Sequence, residues 1–425
     1  MIDQGIKLIK AYVLHISTGR TKPDNNEEMY SEAVSLAEAM EVEVVCHKSL
    51  HVKDIHPSTL IRSGAISELK DSIAANKVDL LIANTSLSPS QQRNLEKDLN
   101  VKVIDRTGLI LEIFGLRAKT KEGVLQVELA ALTYQKSRLV RAWTHLERQR
   151  GGFGFIGGPG ESQVELDRRM LERRLIKIED ELKKVKRTRE IQRKSRKKIP
   201  TPTVSLVGYT NAGKSTLFNS LTNSEVFAKD LLFATLDPTI RRLKLPQGGE
   251  VVLSDTVGFI ADLPTQLIAS FQATLEEVLN ANCILHVHDI SNKSFDDQYD
   301  CVVKTLENIG INKEQQQKLV IHVFNKSDKS TNEDIEIIKE KYPNAYVVSA
   351  LNSDGLDELI NAIQIFFNEN KTLVEISVPV TDGAFISWCH GNISIVSRKD
   401  TEEKIILSAM VSASNLKKVD KYIVI

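Results

Sequence analysis

Residues Gly208-Tyr-Thr-Asn-Ala-Gly213-Lys214-Ser215 follow the apolar run Val204 to Val207 and precede the helix-forming run Thr216 to Leu221. A strand that runs into a GxxxxGK[ST] loop and then into a helix has one natural setting, the phosphate-binding turn of a parallel α/β sheet. The residue types follow from the chemistry. Glycines at 208 and 213 let backbone amides turn toward phosphate oxygens with no Cβ in the way, and the amino end of the next helix adds a favourable dipole. Lys214 is expected to reach the β and γ oxygens and Ser215 to ligate Mg²⁺, while Tyr209, Thr210, Asn211, Ala212 and Thr216 complete the cradle. The bland alternative is a chance glycine-rich turn, against which stand the flanking strand and helix.

Three shorter motifs follow in order. Asp255-Thr256-Val257-Gly258 comes after the apolar run Val251 to Ser254, so Asp255 should end a strand and hold Mg²⁺ through water, with the Gly258 amide meeting the γ-phosphate. Asn325-Lys326-Ser327-Asp328 ends another strand. Its aspartate can accept from guanine N1 and N2, a donor pair adenine lacks, while the lysine stem packs on the base. Ser349-Ala350-Leu351 then supplies a backbone contact to guanine O6. Alone, DxxG is weak and NKSD would be a solvated turn; in this order behind a P-loop they predict a GTP/GDP site. Phe259 stands where many small GTPases carry the glutamine that orients water, so basal hydrolysis should be slow and a partner should assist.

With 425 residues, 41% of them hydrophobic, the chain can build several cores. Fifty-six basic residues balance 56 acidic ones, so any nucleic-acid surface must be local. Cys46, Cys283, Cys301 and Cys389 lack CxxC spacing, which suits a reducing compartment, and no zinc site is expected from them. Cys46, His47, His51 and His56 fit no standard metal site and read as ordinary loop residues. No apolar h-region or membrane-length run is visible, so the cytoplasm is the default, with membrane contact at most peripheral, no DNA partner and a monomer.

The expected fold is multidomain α/β. Residues 1–118 alternate apolar runs with amphipathic stretches, the pattern of a parallel sheet domain. Residues 119–200 carry two helical heptad patterns, Leu125, Leu129, Leu132, Leu139, Trp143 and Leu146, then Leu171, Leu175, Ile178, Leu182 and Val185, an antiparallel hairpin whose tip is Arg150 to Gly160. Trp143 falls on the apolar face; Phe153 and Phe155 flank tip glycines, where they are available to stack on RNA bases. Ser162 with Glu165 makes a capping box, and Arg168 to Lys198 holds 15 basic against 5 acidic residues. A doubly wound G domain occupies 201–370 and a small α+β domain 371–425.

Beyond these motifs, Asp105 to Phe114, Glu122 to Ala130, Gly151 to Glu165, Phe233-Ala-Thr-Leu-Asp-Pro-Thr239 and Asp255 to Ile260 are similar to the signatures of the HflX GTPases, a translational family. The resemblance spans residues 1 to about 370; Arg62-Ser-Gly departs from it, and the tail is similar only in outline. It implies binding to the large (50S) ribosomal subunit and its rRNA, with splitting of stalled or stressed ribosomes by the GTP-bound form and the hairpin tip near the peptidyl transferase centre. It also implies that Phe233, Ala234 and Thr235 belong to switch I, Thr235 joining Mg²⁺ with Thr239 as the competing assignment. Asn211 resembles the asparagine of K⁺-stimulated GTPases; the other reading is that it only supports the turn. The rival functions are a nucleotide-dependent RNA-remodelling ATPase acting on rRNA, a module that holds GTP without turnover, and, least supported, a small-molecule kinase.

Overall fold

Among the described residues three separate sheets organise the chain, as its three stretches of strand patterning require. The computed structural model describes residues 8–18, 26–149, 163–196, 201–222, 232, 233, 235, 239–261, 272–342, 344–369 and 371–424. These fall into two compact units: Met1–Lys186 with Lys229–Asp237 and Ile260–Ala273, and Arg187–Ala228 with Pro238–Phe259 and Thr274–Ile425.

In the first unit, β1 (Lys10–Thr18), β2 (Glu43–Val52), β3 (Leu80–Asn84) and β4 (Lys102–Asp105) form a wholly parallel sheet in the order β2-β1-β3-β4. β3 is buried at every residue, which is why it reads as an unbroken apolar run rather than an alternating one. The connecting helices are α1 (Asn26–Ala39), α2 (Ser63–Asn76) and α3 (Pro89–Leu99), with α4 (Arg106–Arg117) following β4. Ser88 and Gln91 close a capping box at the start of α3, and Pro89 takes the first helical position, where its missing N–H costs nothing. Leu14, Leu69, Leu81, Leu95 and Val103 centre the core.

Cys46, His47 and His51 are strand residues of β2, a correction to their reading as loop residues. The pattern there was obscured because β2 is an edge strand with half-exposed positions. Their neighbours are ordinary ones: His51 Nδ1 lies 3.1 Å from Ser17 Oγ, and His47 packs edge-on against Tyr30.

Two long helices follow, α5 (Lys121–Gln149) and α6 (Gln163–Arg196). Glu128 pairs with Arg174 at 2.6 Å and Lys136 with Glu172 at 3.2 Å, so the later α5 residue meets the earlier α6 residue, as in an antiparallel pair. Leu125 and Ile178 are buried on this heptad face, whereas Leu129, Leu132, Leu139, Leu171, Leu175, Leu182 and Val185 are half-buried. α5 is also tied to the parallel sheet: Tyr134 Oη and the Arg138 guanidinium both donate to the Asp105 carboxylate at the end of β4. Burial, with the Asp105 charge beside it, raises the Tyr134 phenol well above its usual value. The tip, including Phe153 and Phe155, the Ser162 cap, and the side chains of Trp143 and Leu146 lie outside the described residues.

The second unit holds a six-stranded sheet of β5 (Thr203–Gly208), β6 (Thr239–Lys244), β7 (Glu250–Asp255), β8 (Cys283–Asp289), β9 (Val320–Asn325) and β10 (Tyr346–Val347). Its order is β10-β9-β8-β5-β7-β6, parallel throughout except for β6, which runs antiparallel to β7 at the edge. β6 went unforeseen because Thr239-Ile-Arg-Arg-Leu-Lys carries two exposed arginines, the mark of a solvated edge. The same unit holds the antiparallel sheet β11 (Lys371–Pro379), β12 (Ser394–Asp400) and β13 (Lys404–Ser412), in the order β11-β13-β12. Helices at Gly383–Asn392 and Ala413–Val419 accompany it, with Ile376, Cys389, Leu407 and Val411 in its core, an α+β arrangement.

Candidate nucleotide site

β5 is buried from Val204 onward and delivers Gly208 to the carboxyl edge of the sheet, where the chain turns and enters α7 (Lys214–Thr222). Gly213 has φ +88°, and a Cβ there would collide with the side-chain amide of Asn325, so both conformation and space demand glycine. Lys214 is only 6% exposed, and its Nζ donates to the carbonyls of Gly208 at 3.1 Å and Tyr209 at 2.7 Å. Burial pushes this ammonium down to about 8; the Asp255 carboxylate opposes the change and Lys326 adds to it. A cation this poorly solvated has a strong electrostatic demand for anionic oxygen. Ala212 is buried, while Asn211 is exposed with φ +61°, a left-handed conformation that asparagine adopts more readily than most residues.

β7 ends at Asp255, which is fully buried and accepts from Ser215 Oγ at 2.7 Å. Thr256 Oγ1 donates to Leu206 O and is structural. Beyond the buried Val257, the chain is laced to the P-loop by two backbone bonds: Phe259 N donates to Gly208 O at 3.0 Å, and Thr210 N to Phe259 O at 2.7 Å. This leaves no room at Gly258, where a Cβ would stand 2.8 Å from Thr210 Cα. The Phe259 ring is buried, 3% exposed, so it offers nothing to a water nucleophile.

β9 delivers Asn325, whose two amide atoms are both used within the protein. Its Nδ2 donates to Ala212 O at 2.9 Å and its Oδ1 accepts from Ala350 N at 3.0 Å, so one side chain joins the phosphate loop to the 349–351 loop. Lys326 adopts a left-handed conformation with its Nζ 2.7 Å from Asp289 Oδ2, and the Ser327 amide donates to Val348 O. Asp328 Oδ1 accepts from Ser349 Oγ at 2.6 Å, which aims one face of the carboxylate and leaves the other to a base. Leu351 is exposed. Thus Gly208 to Ser215, Asp255 to Gly258, Asn325 to Asp328 and Ser349 to Leu351 converge on one sheet edge, with Thr216 in the first turn of α7.

Phe233 and Thr235 group with the first unit, where Phe233 is buried edge-to-face against Phe114 at 4.7 Å; Ala234 lies outside the described residues. Motif reading missed the supports Asp289, Ser349 as a side-chain anchor, and Ser220, whose hydroxyl donates to Ala350 O. Asp289 alone had a signal, an aspartate at the carboxyl end of a parallel strand.

Comparison with known proteins agrees with this geometry. Residues 27–115 match the family described as GTP-binding GTPase N-terminal, 117–196 the GTP-binding GTPase Middle Region, and 203–326 the 50S ribosome-binding GTPase family. GTPase HflX of Magnetococcus marinus is 44% identical over 394 residues, covering 93% of this chain and 90% of that protein. GTPase HflX of Escherichia coli K12 is 43% identical, covering 83% and 82%. The GDP complex of SsGBP, at 24% identity, shares the fold, with a TM-score of 0.50 over 84% of this chain and 98% of that one. With the phosphate, DTVG and NKSD loops assembled on one sheet edge and relatives this similar along nearly the whole length, the chain belongs to the HflX family of GTPases, enzymes that bind and hydrolyse GTP.

Proposed function

We propose that this GTPase binds the large ribosomal subunit in its GTP form, contacts rRNA through the helical hairpin, and splits or rescues stalled ribosomes. The observation that carries the reading is α6. Arg168, Arg173, Lys177, Lys183 and Arg187 are all exposed along it, within a stretch of 15 basic and 5 acidic residues. Cations in that density neutralise backbone phosphates and release counterions, whereas a helix needing only solubility would mix its signs. The description of the matched family, 50S ribosome-binding GTPase, supports the same partner.

Hydrolysis itself asks the protein to position and to stabilise charge. Lys214 serves the β and γ oxygens, and the buried Thr210 hydroxyl beside it in the loop has no hydrogen-bond partner among the described residues. Ser215 and Asp255, hard oxygen donors held 2.7 Å apart, suit Mg²⁺. Bound there, the ion would neutralise charge on the phosphate oxygens. Asn211 presents an exposed amide suited to K⁺. Because Phe259 is buried and apolar, the water must be oriented from outside, which makes the ribosome the natural activator.

Sedimentation with purified subunits tests the proposal. The protein should pellet with the large subunit in the presence of a non-hydrolysable GTP analogue and not with GDP, and the subunit should raise GTP turnover at least tenfold, about 1.4 kcal/mol of barrier. Equal pelleting in both nucleotides with unchanged turnover would refute it. The RNA-remodelling ATPase reading would instead require ATP to displace GTP from the site at 325–328.

A further inference from the structure

β8 and β9 run parallel and in register, so His286 and His322 sit side by side, and His288 lies two residues along β8 on the same face. His288 Nε2 and His322 Nδ1 are 3.2 Å apart, and one ring nitrogen from each of the three imidazoles lies within 4.8 Å of the other two. The rings of Phe295, Tyr299, Phe324 and Tyr342 surround them. A groove of about 760 Å³, lined by His286, Tyr299 and His322, opens onto the cluster.

Each imidazole brings a donor and an acceptor whose desolvation must be offset, and the His288 Nε2–His322 Nδ1 hydrogen bond uses one nitrogen of two of the rings. A divalent metal engages three imidazole lone pairs at once. For a tetrahedral zinc ion with Zn–N bonds near 2.05 Å, neighbouring nitrogens stand about 3.3 Å apart, close to the His288–His322 separation.

We propose that His286, His288 and His322 form a three-imidazole site for zinc(II) or a similar borderline first-row ion, its fourth position facing the groove. The site is distinct from the nucleotide's hard-oxygen donors, so two metals sort by ligand type on one sheet. It also lies on the strands that carry the guanine loop: Asp289, next to His288, pairs with Lys326, and β9 runs from His322 directly to Asn325.

Cobalt(II) tests this in full-length, untagged protein saturated with GDP and Mg²⁺. Tetrahedral nitrogen coordination gives intense visible absorption, whereas an octahedral oxygen site gives only weak bands. A titration saturating at one equivalent, reversed by zinc, is expected. His322→Gln should abolish the band while keeping wild-type GDP affinity and helical circular dichroism, and His288→Asn should abolish the band as well. His322 is partly exposed at the groove, so its variant is the one that should fold without penalty. Weak octahedral absorption alone, or an intense band that survives in His322→Gln, overturns the assignment.

Discussion

Lys214→Met should make the nucleotide-free protein more stable while removing its ability to bind GTP. The ammonium is buried against two carbonyls, and burial lowers it from 10.5 to about 8, so holding it charged at neutral pH costs about 3 kcal/mol. Methionine removes that cost and fills similar volume, but takes one donor from each of two carbonyls, which keep Phe259 N on Gly208 O and Ala212 N on Tyr209 O, a loss of roughly 1 kcal/mol each. The net gain is about 1 kcal/mol, or a few degrees in Tm. The pH dependence is sharper than the magnitude. The unfolded lysine keeps its proton up to 10.5 and the folded one only to about 8, so between those values the unfolded state binds more protons and wild-type stability rises with pH relative to the variant. The variant's advantage should be complete below pH 8, then shrink and reverse toward pH 10. Other groups titrate in both proteins and cancel in the difference. Thermal melts of both proteins without nucleotide, from pH 7 to 10, give the comparison; a Tm difference flat across that range would refute the reasoning. Adding GDP with Mg²⁺ should stabilise the wild type alone.

Asp328→Asn should lower GTP affinity at least tenfold, about 1.4 kcal/mol, and recover it for xanthosine triphosphate, read by competition binding. Asn211→Gly keeps the left-handed turn and deletes the amide, so any acceleration of turnover by K⁺ over Na⁺ should disappear; acceleration that persists would leave the residue only its turn. Deleting residues 153–157 should leave GTP affinity unchanged and weaken co-sedimentation with the large subunit, whereas wild-type co-sedimentation would mark the tip as a connector.

The nucleotide loops were legible because each is short, contiguous and flanked by a buried strand: Gly208 to Ser215, Asp255 to Gly258 and Asn325 to Asp328 all fall where their motifs put them. What escaped were relations across the sheet. Asn325 belongs to the base-reading motif, yet both its amide atoms are consumed by Ala212 and Ala350, residues far from it in sequence. His286, His288 and His322 are unremarkable in order and meet only through the β8–β9 register. β6 was hidden by the solvated arginines of an edge strand, and the hold of Tyr134 and Arg138 on Asp105 required knowing which helix packs over β4.

The double engagement of Asn325 has a further meaning for how this protein loosens. Its amide spans the Ala212 carbonyl on one loop and the Ala350 N–H on another, and Ser220 reaches Ala350 from α7. A fluctuation that frees either loop breaks one of the two bonds to this strut, so the two loops are coupled through one side chain. Aspartate lacks the donor, leucine lacks both atoms, and glutamine overreaches by a methylene. Phosphate grip and base recognition are therefore not separable modules that drift could tune one at a time, because a single residue keeps them in step.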